Sequence, residues 1–264
     1  MLKESPYRLL GPDDPPPVIV ERLNGASALF LTCEHAGRRI PSRLGDLGVP
    51  EVELKRHIGW DIGAAGVARG LSERMDAGLV MQTYSRLVID CNRKPSRHDS
   101  MARISERTEI PGNHDLHPDH AEARVREIFN PYHEAIAAEL DRRRDAGRAT
   151  LLMAVHSFTP VYKGVPRPWQ IGLLYHRDDR VARVLMDLMS KDPTLTVGDN
   201  EPYAITDEGD YTIPVHGEQR GILHIEIEIR QDLIESEAGQ RDWASRLSGW
   251  MTGAIERLSA ANLL

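Results

Sequence analysis

Short apolar runs alternate along this chain with longer segments in which apolar residues recur at helical spacing. The runs have strand length and lie at 28–32, 79–83, 87–90, 151–155, 171–175 and 222–229. Several of them are apolar throughout, which is typical of strands that are covered on both faces. The amphipathic segments predict helices at 61–77, 125–140, 181–188 and 243–258. This alternation predicts an α/β protein with a mostly parallel or mixed sheet.

Proline interrupts this pattern in two places. Residues 1–17 are rich in proline and acid, and we expect an irregular lead-in there. Pro131 should kink the second helix, because proline has no backbone N–H and its ring clashes with the preceding turn. No repeat or linker divides the rest of the sequence, so residues 18–264 are predicted to form a single α/β domain.

Charge and cysteine content narrow the class of protein. The formal net charge of −7 gives no field that attracts nucleic acid or an anionic membrane. No apolar run approaches membrane-spanning length, and no signal peptide is expected from the first residues. Cys33 and Cys91 are too few for a disulfide framework, so we expect two buried thiols in a cytoplasmic protein. The sequence does not indicate an oligomeric state.

Polar side chains collect where the predicted strands end. The residues that follow a predicted strand or lie near its end are Glu34, His35, Asn92, Arg93, His156 and Glu228. In open α/β sheets, ligands bind in the crevice beyond the carboxyl ends of the strands. We therefore expect imidazole, carboxylate and guanidinium groups to share one cleft.

Two of these strand-end residues are histidines that suit a metal ion. Neutral imidazole is a favoured zinc ligand, and catalytic zinc commonly has three protein ligands and a water molecule. His35 and His156 would be two of them. Asp61, at the start of a predicted helix, is the first choice for the third, and Glu34 and His57 are the alternatives. The other interpretation is that the histidines cap strand ends through hydrogen bonds.

Two acids on the last predicted strand point to the same cleft. Glu226 and Glu228 share one face of strand 222–229, because side chains alternate with a period of two. Two carboxylates on one face of an interior strand are costly unless they are paired, bound to metal or catalytic. A solvent-facing edge strand is the alternative. For an interior strand, the pattern favours a functional role.

Together these segments resemble the N-formylglutamate amidohydrolase family. The matching motifs are 33–37 (CEHAG) with 40–41 (IP), 57–64 (HIGWDIGA), 84–93 (YSRLVIDCNR), 156–160 (HSFTP), 198–203 (GDNEPY) and 226–230 (EIEIR). They occur in one order between about residues 28 and 235. As a set they are quite specific.

The resemblance implies a fold and a metal. The family is similar to the zinc carboxypeptidases, which implies a three-layer α/β/α sandwich of the phosphorylase/hydrolase-like class and one Zn²⁺ per chain. His156 resembles the second zinc histidine of the carboxypeptidases, and Glu228 resembles their catalytic base. Carboxypeptidases place a zinc-binding Glu three residues after the first His, where this chain has Arg38. The third ligand must therefore come from elsewhere, with Asp61 preferred.

The resemblance also implies a reaction and a substrate. We expect hydrolysis of the amide bond of a small N-acyl amino acid that bears a carboxylate, such as N-formylglutamate, in amino-acid catabolism. Asn92 and Arg93 resemble the Asn-Arg pair that grips the substrate carboxylate in carboxypeptidases. Arg86 would bind that carboxylate or the developing oxyanion, or it would form a structural salt bridge to Asp61 or Asp90.

Three further expectations accompany this reading. Tyr203 or Tyr211, on a loop rich in Gly, Pro and Asp, would form a lid over the substrate or merely pack against the domain. A deacylase or peptidase of the same fold that acts on another acyl amino acid or peptide is one alternative. A non-catalytic protein that binds a small anion is the other, although the presence of His35, His156 and Glu228 together argues against it.

Overall fold

A computed structural model describes residues 7–264 of the chain. Its strands are β1 (Val18–Glu21), β2 (Leu29–Cys33), β3 (Gly78–Gln82), β4 (Ile104–Ser105), β5 (Thr108–Glu109), β6 (Leu151–Phe158), β7 (Val161–Tyr162), β8 (Val165–Pro166), β9 (Ile171–Leu174), β10 (Val197–Asp199) and β11 (Leu223–Arg230). Its α-helices are α1 (Glu51–Leu54), α2 (Ala64–Met75), α3 (Pro118–Arg124), α4 (Asn130–Asp145), α5 (Arg180–Met189) and α6 (Glu237–Ala260). Wider π turns occur at Val125–Phe129 and Ile213–Glu218.

Seven strands form one mixed sheet in the order β1-β3-β2-β6-β11-β9-β10. The four central strands β3, β2, β6 and β11 run parallel to one another. β9 is antiparallel to β11 and parallel to β10, while β1 is antiparallel to β3 at the other edge. The predicted mostly parallel or mixed sheet is confirmed. Because β2, β6 and β11 are parallel neighbours, their carboxyl ends meet at one edge of the sheet.

Helices cover both faces of this sheet, as the alternation of strands and helices predicts. Odd-numbered residues of the strands, such as Leu31, Met153 and Ile227, pack against α2, α5 and α6. Even-numbered residues, such as Phe30 and Leu152, pack against the helical segment 118–145 on the other side. The fold is therefore a three-layer α/β/α sandwich. Apolar residues on both faces explain why the central strands are apolar throughout.

One predicted strand is wrong. Residues 87–90 form a turn-rich segment rather than a strand, although Leu87, Val88 and Ile89 are buried. Side chains bond to the carbonyl groups that a sheet would otherwise pair: Asn113 Nδ2 donates to Leu87 O at 2.9 Å, and Arg124 Nη1 donates to Val88 O at 2.8 Å. The apolar run at 87–90 therefore reflects the burial of its side chains and does not indicate a β-strand.

The structure also adjusts two helices and a strand. A π turn, Val125–Phe129, precedes α4, and Pro131 lies in the first turn of α4, so the kink at Pro131 stays a prediction. Asp61 precedes α2 by three residues instead of starting that helix. β6 continues to Phe158, so His156 lies within the strand and not after it.

The predicted lead-in carries no helix or strand at residues 7–17, and residues 1–6 lie outside the described part. Leu9 is nevertheless buried, and the Glu127 carboxylate accepts hydrogen bonds from the backbone N–H groups of Leu9 and Leu10 at 3.0 and 2.9 Å. The division of the chain at residue 18 stays a prediction. None of the helices within residues 7–264 has the length and apolar character needed to cross a membrane.

Candidate metal centre

His35, Asp61 and His156 converge at the carboxyl ends of the central strands. His35 comes two residues after β2, and His156 lies on the neighbouring strand β6. Asp61 Oδ2 lies 3.3 Å from His35 Nδ1 and 2.8 Å from His156 Nδ1. Each residue offers one ligand atom, and these atoms lie within 4.8 Å of one another. All three side chains are buried. We call these three residues the candidate centre.

Backbone hydrogen bonds hold the three segments of the candidate centre together. The N–H of Asp61 donates to His35 O at 3.0 Å, so the chain before α2 is attached to the end of β2. The N–H of Ser157 donates to Asp61 Oδ2 at 3.3 Å, and Ser157 Oγ donates to Ile62 O at 2.9 Å. The Asp61 carboxylate is thus fixed between β2 and β6 by the fold itself.

The outer nitrogen of each histidine faces another carboxylate. His35 Nε2 lies 2.7 Å from Asp90 Oδ1, and His156 Nε2 lies 2.9 Å from Glu34 Oε2. Both ring nitrogens of each histidine therefore face a carboxylate; with a cation on the Nδ1 side, the proton would lie on Nε2 and the lone pair on Nδ1. Carboxylate partners of this kind orient histidines that bind metal ions.

These contacts test whether a metal ion fits the candidate centre. Two imidazole lone pairs and one carboxylate face the same point, so the three groups repel one another unless a cation or extra protons lie between them. Burial by itself would lower the pKa of His156, but the charge of Glu226 and the hydrogen bonds to Asp61 and Glu34 raise it well above its ordinary value. The contacts therefore favour positive charge at the candidate centre. Two nitrogen ligands and one oxygen ligand suit a divalent transition-metal ion, so the residues fit one.

The two alternative third ligands lie elsewhere. Glu34 contacts the outer nitrogen of His156 and also accepts a hydrogen bond from Tyr132 Oη at 3.1 Å. Its position behind the histidine prevents it from sharing an ion with His156 Nδ1. His57 Nε2 lies 3.8 Å from Glu106 Oε2 on the wall of the cleft. The geometry therefore favours Asp61.

Glu226 and Glu228 lie on an interior strand, because β11 pairs with β6 on one side and β9 on the other. Glu228 is the register partner of His156, so its side chain shares a face and an edge of the sheet with the candidate centre. Burial raises the pKa of both acids to about 8. Two buried acids that hold their protons this firmly suit proton transfer near neutral pH.

The three candidate substrate-binding residues lie in the cleft but already have partners. Arg86 Nη2 lies 2.6 Å from Asp90 Oδ2, and its Nη1 lies 3.5 Å from Asp61 Oδ1. Asn92 Oδ1 accepts hydrogen bonds from the backbone N–H groups of residues 211 and 212 at 3.1 and 3.0 Å. Arg93 Nη1 lies 3.1 Å from Asp210 Oδ1. The salt-bridge interpretation of Arg86 therefore describes its contacts in this structure.

One cavity of about 470 Å³ joins these residues. We call this cavity the cleft, and it has the size of a small-molecule site. The predicted site residues on its wall are His35, Asp61, Arg86, Asn92, Arg93, His156 and Glu228. Tyr203 also lies on this wall, whereas Tyr211 packs against Phe129 and His133 with ring centres 4.9 and 4.4 Å apart. Of the two tyrosines, only Tyr203 is placed to contact a ligand.

Two residues that the sequence analysis did not count among the site residues also shape this region. Asp90 bonds to both His35 and Arg86, and its place at the end of an apolar run, next to Asn92, was the available signal. Arg167 is buried beside the cleft with its guanidinium carbon 4.8 Å from the ring centre of Tyr203. Nothing in the sequence around Arg167 distinguishes it from other arginines.

Two histidines and one carboxylate are among the ligand sets that catalytic zinc sites use. The family model of N-formylglutamate amidohydrolase matches residues 27–235. This chain therefore belongs to the N-formylglutamate amidohydrolase family, as the resemblance predicted, and it is a hydrolase of the kind that acts on amide bonds.

Solved structures agree with the fold. A gene product of Agrobacterium tumefaciens is 38% identical, with a TM-score of 0.92, over 96% of this chain and 100% of that one. An N-formylglutamate amidohydrolase from Ralstonia eutropha has a TM-score of 0.63 over 93% of this chain and 97% of that one. At 17% identity, that second likeness concerns the fold alone. No curated protein matches the chain.

Proposed function

We propose that this protein is a zinc-dependent amidohydrolase that cleaves the amide bond of an N-acyl amino acid bearing a carboxylate, with N-formylglutamate as the leading substrate. The observation that carries the proposal is the convergence of His35, Asp61 and His156 in a cleft that also contains Glu228. Membership of the N-formylglutamate amidohydrolase family supports a substrate in which a formyl group is attached to glutamate.

The candidate centre would hold one zinc ion per chain through His35 Nδ1, His156 Nδ1 and a carboxylate oxygen of Asp61. When bound, zinc lowers the pKa of a coordinated water molecule and polarises a carbonyl group. Glu34 and Asp90 keep the two imidazoles in the tautomer that presents Nδ1 to the ion. Such partners behind the ligands commonly contribute ten- to a hundredfold in metal affinity.

Glu228 is the general base in this proposal. Its carboxylate takes the proton from the attacking water and delivers it to the nitrogen of the leaving amine. Its place beside His156 on the adjacent strand puts it at the edge of the candidate centre. Burial raises its pKa, and the positive charge of a bound ion would lower it again toward the range in which a base is active at neutral pH.

Arg86, Asn92 and Arg93 bind the substrate carboxylate or the developing oxyanion in this proposal. Arg86 is best placed for the oxyanion, because its Nη1 lies 3.5 Å from Asp61 Oδ1 and hence close to the candidate centre. Its salt bridge to Asp90 fixes the guanidinium in place. A guanidinium that is held before the reaction stabilises developing negative charge at little reorganisation cost.

A panel of N-formyl, N-acetyl and N-succinyl amino acids, assayed with and without a chelator, tests the proposal. We expect N-formylglutamate to give the highest kcat/KM, the chelator to abolish turnover, and added Zn²⁺ to restore it. Metal analysis of protein purified without added zinc should give about one ion per chain. Fastest turnover of another acyl group would identify a deacylase of the same fold. No turnover and no bound metal would instead indicate a non-catalytic anion-binding protein.

A further inference from the structure

Tyr132 on α4 contacts the carboxylate that lies behind His156. Its Oη donates a hydrogen bond to Glu34 Oε1 at 3.1 Å, while Glu34 Oε2 lies 2.9 Å from His156 Nε2. The side chains of Tyr132 and Glu34 are buried. The Glu34 carboxylate thus joins α4 to the imidazole whose Nδ1 atom belongs to the candidate centre.

Two π turns hold the start of α4 in place. The helix begins directly after the π turn Val125–Phe129, and Tyr132 lies in its first turn. Nδ1 of the next residue, His133, lies 3.0 Å from Nε2 of His216, which belongs to the π turn Ile213–Glu218. Such turns are rare and frequently occur at functional sites. These contacts fix the place of the Tyr132 ring.

The hydroxyl of Tyr132 restrains the Glu34 carboxylate. Burying a carboxylate is costly unless its oxygens are hydrogen-bonded. Tyr132 donates to Oε1, and His156 faces Oε2. Without the hydroxyl, Oε1 would lose this donor and the carboxylate would be freer to turn away from His156. The contact that orients the imidazole would then weaken.

We propose that Tyr132 is a positioning residue for the metal centre: it holds Glu34 against His156 Nε2, keeps the imidazole directed at the ion and so tightens metal binding. This inference rests on the metal site of the proposed function. Tyr132 does not line the cleft, so it acts through Glu34 and not on the substrate. Partners behind metal ligands commonly contribute ten- to a hundredfold in metal affinity.

Tyr132→Phe keeps the buried ring and removes only the hydroxyl. We expect its Kd for Zn²⁺, measured by competition with a chromophoric chelator, to rise about tenfold, the lower end of the range for such partners. Tyr84→Phe is the matched control. Tyr84 is also buried, and its Oη donates to Pro15 O at 2.6 Å, outside the cleft. That variant should keep the wild-type Kd, and thermal unfolding of the metal-free proteins reports what each lost hydroxyl costs in stability.

A double-mutant cycle separates positioning from a general loss of stability. In Glu34→Gln the charge that Tyr132 holds is absent, so the further change Tyr132→Phe should alter the Kd by no more than about twofold. A purely structural role of Tyr132 would give the same rise in both backgrounds. That result, or an equal rise in Tyr84→Phe, overturns the inference.

Metal affinity is measured without a substrate, so this inference and the proposed reaction can fail separately. A protein that binds Zn²⁺ with this dependence on Tyr132 but hydrolyses no N-acyl amino acid supports the inference and rejects the reaction. An active enzyme in which Tyr132→Phe leaves the Kd unchanged overturns the inference alone. A wild-type protein that binds no Zn²⁺ overturns both.

Discussion

Each histidine of the candidate centre lies between two carboxylates. Asp61 faces the Nδ1 atoms of both rings, while Asp90 and Glu34 face the outer nitrogens. Burial by itself would raise the pKa of Glu34, but the hydrogen bond and charge of His156 lower it to about 2. The outer acids thus remain ionised and stay hydrogen-bond acceptors. When an ion binds at the Nδ1 atoms, these acids can hold the imidazole protons on Nε2.

Glu228→Gln tests the proposed base at the scale of one residue. Glutamine keeps the size of the side chain but cannot take a proton, so kcat should fall at least a hundredfold, the usual contribution of general-base catalysis. Zinc content and the unfolding midpoint should stay at wild-type values. The measurements are steady-state kinetics, metal analysis and thermal unfolding.

Glu226→Gln is the control for that variant. Glu226 lies two positions earlier on the same face of β11 and is also buried, so general effects of removing a buried acid should appear in both variants. We expect a smaller loss of kcat for Glu226→Gln. Near-normal turnover of Glu228→Gln would reject Glu228 as the base.

At the scale of elements, three parallel neighbours bring the site together. β2 leads into His35, β6 carries His156 and β11 carries Glu228. The residues that follow or end these strands can be recognised in the sequence, because apolar strands that stop at polar residues are conspicuous. The sequence therefore predicted which side chains meet at this edge of the sheet. It could not choose among Asp61, Glu34 and His57, because that choice depends on which imidazole nitrogen each side chain faces.

The strands and contacts that sequence reasoning missed have physical reasons. β1 is short and only partly buried at the sheet edge, and β10 contains Gly and Asp, so neither gives a long apolar run. Residues 87–90 do give such a run, but side chains of other segments pair with their backbone. Arg167 could not have been recognised, because its contact with the ring of Tyr203 joins residues that lie far apart in the sequence.

Gly172 on β9 allows the segment that carries Glu201 and Tyr203 to approach the sheet closely. A Cβ at Gly172 would lie 2.0 Å from the carbonyl oxygen of Glu201, two residues before Tyr203. Gly172→Ala must therefore displace the segment that carries Tyr203. We expect a loss of about 1–3 kcal/mol in the free energy of unfolding, the usual cost of overpacking, together with reduced kcat/KM. Chemical denaturation and substrate kinetics measure both effects.

Gly249→Ala is the control for Gly172→Ala, and we expect it to raise stability. Gly249 lies on the exposed face of α6, and a Cβ there would meet no atom within 4 Å. Alanine in a helix interior is favoured over glycine by about 0.5–1 kcal/mol. That variant should unfold at a higher denaturant concentration with unchanged kinetics. Equal stability of the two variants would contradict the close approach at Gly172.

At the scale of the whole molecule, a buried pair of histidines joins three separated parts of the chain. His133 on α4 lies 2.8 Å, through Nε2, from the carbonyl oxygen of Cys91 and 3.0 Å, through Nδ1, from His216 Nε2. Cys91 precedes Asn92 of the cleft, and His216 belongs to the π turn Ile213–Glu218. Burial lowers the pKa of His133 to about 4, and burial with the charge of His133 lowers that of His216 to about 3.

These shifts predict how stability depends on pH. Both histidines stay neutral in the folded protein until the pH falls to about 4, whereas in the unfolded chain they take up protons below about 6.5. Stability from the pair is therefore complete above pH 6.5 and is lost as the pH falls toward 4, by about 1.4 kcal/mol per pH unit for each proton. Urea unfolding at pH 7, 6 and 5 measures this slope.

His216→Gln removes one titrating group, so its slope between pH 6 and 5 should be smaller by about 1 kcal/mol per pH unit. The exposed His117→Gln should keep the wild-type slope. Identical slopes in all three proteins would mean that the buried pair does not govern acid stability.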